Sequence, residues 1–281
     1  MISFSEVSKR LGRFELKDVS FDIPEGYICG LVGRNGAGKT TLLNLILGLL
    51  RPKSGEISID GMGYEADEKN VRKLFGCVLV DELLIKSLPL TENGEYFGHY
   101  YEDYDHEMYE AYLKRFELDG SKKFGKLSKG EKLKCQFAFA LAVKPKYLIL
   151  DEPTANFDPQ FRENFWKILK EFIADGGHSV LLATHLTDDL NRMADQLLYI
   201  ENGKMIFNGD MESFRDRYKI VSGESYLIKG IDKQYILGAE KGKYSSKALT
   251  EGKKRFSEGL NVAPATIEEF MYYRSKGDTI K

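Results

Sequence analysis

The stretch YICGLVGRNGAGKTTLLNLILGLL, Tyr27 to Leu50, decides how this chain is read. Tyr27 to Val32 form a short apolar run without polar alternation, as expected of a strand covered on both faces. Lys39 to Gly48 carry a helical pattern. Between them GRNGAGKT, Gly33 to Thr40, fits G-x-x-x-x-G-K-[ST], with a strand before it and a helix after it as the pattern requires. Glycines let the backbone wrap close to phosphate, and the loop N–H groups and the helix start bind negative charge. On this reading Gly33, Arg34, Asn35, Gly36, Ala37, Gly38, Lys39, Thr40 and Thr41 hold the phosphates of a nucleotide. Lys39 reaches the β and γ phosphates, and Thr40 ligates Mg²⁺.

The rest of the chain fits a globular frame around that loop. Its 281 residues are 42% hydrophobic and 30% charged, enough for one large domain plus an appendage. A net charge of −2 lacks the basic footprint of a dedicated nucleic-acid binder, so no nucleic-acid partner is expected. Cys29, Cys77 and Cys135 are widely spaced with no C-x-x-C, which fits a reduced cytosolic protein. The start, MISFSEVSKRLGRF, has no apolar signal-peptide core. The longest apolar run, Leu42 to Leu50, is roughly half the ~20 residues of a membrane span.

Further apolar runs at Cys77 to Val80, Tyr147 to Leu150, Ser179 to Thr184 and Gln196 to Ile200 read as strands. Gly130 to Ala142, Pro159 to Ala174 and Leu186 to Met193 read as helices. Strands followed by helices predict an α/β fold with a mainly parallel sheet. Phe14 to Ile23 and Gly55 to Gly61 alternate and predict an antiparallel β subdomain at one edge. Asp81 to Lys126 is tyrosine-rich and reads as a helical insertion. Beyond about Asp210 the style changes to a small α+β appendage, with YLIKG and YILGA as short strands and PATIEEFMYYRS as a closing helix. The expected boundaries are 1–210 for the main domain and 211–281 for the appendage.

Chemistry enters at strand ends. LILDEP presents Asp151 beside the phosphate loop, where a carboxylate holds Mg²⁺ through water. Glu152 follows, a candidate to orient or deprotonate an attacking water. His185 closes SVLLATH at the same rim as a second catalytic candidate. ANFDP, Ala155 to Pro159, supplies a turn with Asp158 as a helix cap. LSKGEK, Leu127 to Lys132, opens a helix: Ser128 adds a hydroxyl to its N–H groups, and Gly130 permits close approach of an anion.

The order and spacing of these pieces resemble the ATP-binding cassette (ABC) ATPase, over roughly residues 1 to 210. The resemblance makes LSKGEK the family signature, with Lys129 and Glu131 substituted in its usual LSGGQ form. It implies that Ser128 and Gly130 bind the γ-phosphate held by another subunit, in a homodimer or a heterodimer with a second ABC ATPase. It also implies that Ala155 to Asp158 form the D-loop and that His185 is the switch histidine. Three departures stand out. Leu11 falls where the family stacks adenine on an aromatic, with Phe14 or Phe4 as substitutes. Val80 falls where it has a glutamine, with Asp81 next. Lys129 adds a cation at a helix start.

Among functions, the resemblance favours the ATP-hydrolysing subunit of a transporter, peripheral on the inner face of the cell membrane and driving a separate permease. The closing helix gives it the style of bacterial exporter subunits. A soluble ABC ATPase in translation or DNA maintenance is the alternative, weakened by the lack of long heptads and of a second cassette. A kinase or GTPase is disfavoured by the signature and by the lack of N-K-x-D. Part of the insertion, around Tyr96, Phe97, Tyr100 and Tyr101, is expected to dock on the permease. The basic run Lys241 to Arg255 reads as a solvated face.

Overall fold

The structure is a computed structural model that describes residues 1–80, 83–242, 245–252 and 255–276. Asp81, named above as the residue next to Val80, lies outside the described residues, as do four positions of the basic run. The chain divides into two compact units, Met1–His185 with Leu198–Ile206, and Leu186–Leu197 with Phe207–Lys281.

The first unit starts with an antiparallel sheet of β1 (Ile2–Leu11), β2 (Phe14–Ile23) and β4 (Ser54–Ile59), in the order β2-β1-β4. Alternation in β2 buries Leu16, Val19, Phe21 and Ile23 on one face. The sequence reading missed β1 because two register shifts, between Phe4 and Val7 and between Val7 and Lys9, break its period. Phe4 stacks on Phe21 in the core, with ring centroids 4.5 Å apart, and is removed as a substitute for the adenine aromatic.

The main sheet has the order β5-β6-β7-β3-β8-β9. Its strands are β3 (Ile28–Val32), β5 (Phe75–Val78), β6 (Tyr147–Asp151), β7 (Ser179–Thr184), β8 (Gln196–Glu201) and β9 (Lys204–Asp210). β5, β6, β7 and β3 run parallel, and every residue of β3, β6 and β7 is buried. That explains their unbroken apolar sequence. The helices of this unit are α1 (Lys39–Ile46), α2 (Tyr64–Lys73), α3 (Leu90–Gly98), α4 (His106–Arg115), α5 (Lys129–Ala142) and α6 (Pro159–Ile173). Register places the site: Val32 pairs with Thr184, and Asp151 with Ala183. The residues that follow, Gly33, Glu152 and His185, therefore leave the sheet at one carboxyl rim, where open α/β sheets bind ligands.

The insertion holds α3 and α4. Tyr109 is wholly buried and donates to Leu90 O at 3.0 Å, while Tyr96 and Tyr100 are exposed. Asn93 staples the loop before α3, its Nδ2 donating to the carbonyls of Ile85, Leu88 and Pro89 and its Oδ1 accepting from Ile85 N.

The second unit contains α7 (Thr187–Met193), α8 (Met211–Arg217), β10 (Tyr218–Glu224), α9 (Ser225–Lys229), β11 (Ile236–Lys241), β12 (Ser245–Glu251), β13 (Asn261–Pro264) and α10 (Ile267–Lys276). Its sheet is antiparallel in the order β11-β12-β10-β13. The expectation for YILGA holds in β11, but YLIKG is the helix α9, not a strand. Ile228 is its one buried residue, and it joins Val221, Ile231, Ala239 and Ala248 in a small core. Among the described residues no helix is long and apolar enough to cross a membrane.

Candidate functional site

The loop from Gly33 to Gly38 is closed by its own backbone. Ala37 N donates to Arg34 O at 3.0 Å, and Gly203 N donates to Ala37 O at 3.0 Å. Gly38 has φ of 118°, and a Cβ there would lie 2.8 Å from Phe14 Cζ, so both conformation and space require glycine. As N-cap of α1 it offers no side-chain cap. The first N–H groups of α1 therefore take their partners from beyond the helix.

Lys39 is buried, and its Nζ donates to Gly33 O at 2.8 Å. Burial pushes its pKa below the ordinary lysine value, and the charges of Glu152 and Asp151 oppose that fall. These groups border one cavity of about 440 Å³, which Arg34, Asn35, Gly36, Gly38, Thr40 and Thr41 also line. Leu11, Phe14 and Val80 complete the wall. Phe14 is thus the aromatic at this cavity, reached because it pairs with Leu11 across the β1–β2 turn.

Glu152 has φ of 48°, a left-handed conformation rare for a side-chain-bearing residue. Its N–H donates to Ala183 O at 2.8 Å, which fixes it to β7. Three donors meet its Oε2: Thr184 Oγ1 at 3.1 Å, His185 N at 3.3 Å and His185 Nδ1 at 2.8 Å. With the carboxylate accepting, Nδ1 carries a proton and Nε2 is left for another partner. The sequence reading brought His185 to this rim but missed Thr184, whose position one residue earlier was the available signal.

Ser128 and Gly130 do not line this cavity. They start α5, where LSKGEK finds partners within its own fold. Ser128 Oγ accepts from Glu131 N at 3.2 Å while Glu131 Oε2 accepts from Ser128 N at 2.7 Å, a capping box. Lys122 Nζ donates to Glu131 Oε1 at 3.0 Å. The Ser128 N–H first, then Lys122, lower the Glu131 pKa to about 2. A Cβ at Gly130 would lie 2.6 Å from Asn156 O, so the signature glycine also lets α5 approach ANFDP closely.

The donor set fits a nucleoside triphosphate with a hard cation. A glycine loop, an open helix start, a buried ammonium, the Thr40 hydroxyl and the Asp151 carboxylate border one space. Fold and site together define a P-loop nucleotide-binding protein. The model of the ABC transporter family matches residues 16–155. The Nod factor export ATP-binding protein I of Burkholderia lata is 35% identical over 214 residues, covering 74% of this chain and 70% of that protein. Its counterpart in Rhizobium sp. is 31% identical, covering 85% and 82%. A solved ATP-binding subunit of an ABC transporter superposes with a TM-score of 0.72 at 27% identity, covering 77% of this chain and 92% of that one. The ATP-binding cassette MJ0796, solved as a dimer with ADP and Pi, gives 0.68 at 26%, covering 75% and 99%. This chain belongs to the ABC transporter family as an ATP-binding cassette subunit, the component that hydrolyses ATP to energise a membrane permease.

Proposed function

We propose that this subunit hydrolyses ATP with Mg²⁺ at two composite sites of a dimer, with Lys39 and Glu152 as the central groups of each. The observation that carries the reading is the meeting of Lys39, Thr40, Asp151 and Glu152 around one cavity. The loop from Gly33 to Thr41 holds the phosphates. Thr40, and Asp151 through water, would hold Mg²⁺, which supplies positive charge to the β and γ oxygens. Glu152 orients the attacking water and takes its proton. His185, tied to Glu152 through Nδ1, keeps Nε2 for a phosphate oxygen.

Ser128 and Gly130 would complete the site of the opposite subunit, which agrees with their absence from their own cavity. The domain runs from 1 to 210 and the appendage from 211 to 281. The subunit sits on the inner face of the cell membrane, and exposed tyrosines of the insertion, Tyr96 and Tyr100, face the permease. The names of the two exporter relatives support export as the direction.

The test is Glu152→Gln, which keeps the shape and loses the base. Expected are ATP binding near the wild-type level, very slow hydrolysis and an ATP-dependent larger species on sizing chromatography. Ser128→Arg in the same chain should abolish that species. Wild-type turnover in Glu152→Gln would sink the assigned base.

A further inference from the structure

Thr184 is the polar end of a buried strand. All six residues of β7 are buried, and the four before Thr184 are Val180, Leu181, Leu182 and Ala183. Valine has nearly the same shape as threonine and needs no hydrogen-bond partner, so packing alone gives no reason for a hydroxyl here. The hydroxyl is spent on Glu152, at the end of the neighbouring strand. Thr184 Oγ1 lies 3.1 Å from Glu152 Oε2, and since an ionised carboxylate only accepts, the hydroxyl donates.

Glu152 needs such a tether. It is the first residue past β6, its backbone is left-handed, and its side chain borders the nucleotide cavity while 21% exposed. Its two oxygens are treated differently. Oε2 takes all three donors, and Oε1 accepts no hydrogen bond among the described residues. One oxygen is fixed and the other is left for a water.

The three donors differ in permanence. The His185 side chain is 53% exposed, and on the proposed reading its Nε2 serves a phosphate oxygen. The His185 N–H is the longest of the three contacts, at 3.3 Å. Thr184 is β-branched, buried and held in register with Val32 of β3, which leaves its hydroxyl few other placements. Thr184 does not line the nucleotide cavity, so its reach to the chemistry runs through Glu152.

We propose that Thr184 is a positioning residue for ATP hydrolysis, its hydroxyl holding Oε2 of Glu152 so that Oε1 faces the attacking water. The proposal rests on the reading of Glu152 as the general base. A group placed this way affects turnover and leaves nucleotide binding alone, because the phosphate loop holds ATP without it.

The test compares Thr184→Val, which keeps the shape and removes the hydroxyl, with Thr184→Ser, which keeps the hydroxyl. In the full chain Thr184→Val should lower kcat at least about tenfold, the scale of a misplaced catalytic group, with ATP affinity within about twofold of wild type. Thr184→Ser should stay within about threefold of the wild-type kcat. A double-mutant cycle separates positioning from packing: added to Glu152→Gln, Thr184→Val should change the residual single-turnover rate by less than about twofold. Should Thr184→Val not fold, Thr184→Ala takes its place in both comparisons. A smaller loss of kcat, a parallel loss of ATP affinity, Thr184→Ser as slow as Thr184→Val, or a full further loss in the Glu152→Gln background overturns the role. Wild-type turnover in Glu152→Gln overturns the base and this role with it. Slow Glu152→Gln beside fast Thr184→Val overturns this role alone.

Discussion

Two helices of this subunit begin on glycine-containing polar loops and complete their first turns in opposite ways. α1 follows Gly38, which has no side chain to give. α5 follows Ser128, which caps Glu131 and is capped by it. The start of α1 is left to an anion, and nothing internal must be displaced when one arrives. The start of α5 is satisfied in its own fold, so on the proposed reading a phosphate from another subunit would have to share or replace the Glu131 contact. One terminus is a fixed receptor. The other is a structural cap that, on the proposed reading, doubles as a contact surface, and what it already holds would reduce its affinity for phosphate.

The contrast breaks most sharply at Lys39. Lys39→Ala should lower ATP turnover by at least about 100-fold, the usual loss when one transition-state charge contact is removed, and weaken nucleotide binding. Steady-state ATPase assays and nucleotide titration check this, and wild-type turnover would dismantle the receptor assignment. Ser128→Ala is the matching change at the other terminus. It should cost about 1 kcal/mol of stability for the lost cap and also weaken ATP-driven dimerisation. Denaturant unfolding and sizing chromatography read the two roles separately. Lost stability with unchanged dimerisation would reduce Ser128 to a cap.

The smallest effect lies in Glu131→Gln, which keeps a capping group and removes the charge. The folded pKa of Glu131 is about 2 against 4.5 for the free carboxyl, so its charged form is favoured by folding. The stability it adds is full above about pH 4.5 and is lost as pH falls toward 2. The gap between wild type and Glu131→Gln should therefore be constant from neutral pH to about 5 and then close. A gap that widens on acidification would reverse the sign of the argument.

The phosphate loop could be read from the chain because its demands are local: Gly38 needs a positive φ, and Lys39 must follow it. Asp151, Glu152 and His185 could be read because strand ends in a parallel sheet share one rim, fixed here by the register of β6 with β7. The same reasoning failed on YLIKG, whose apolar and aromatic content suits a strand but whose backbone winds into α9 around the single buried Ile228. It also missed β1, where bulges hide the alternation.

The bond from Lys39 Nζ to Gly33 O has a consequence for how tightly ATP is held. A free lysine gives up roughly 1.5–2 kcal/mol of rotamer entropy when it is pinned. Here the pinning happens during folding, inside a loop that the Ala37–Arg34 and Ala37–Gly203 bonds already hold. The incoming phosphate meets a cation that has no search left to make. The ordering cost is carried by the stability of the apo-protein and does not fall on the dissociation constant.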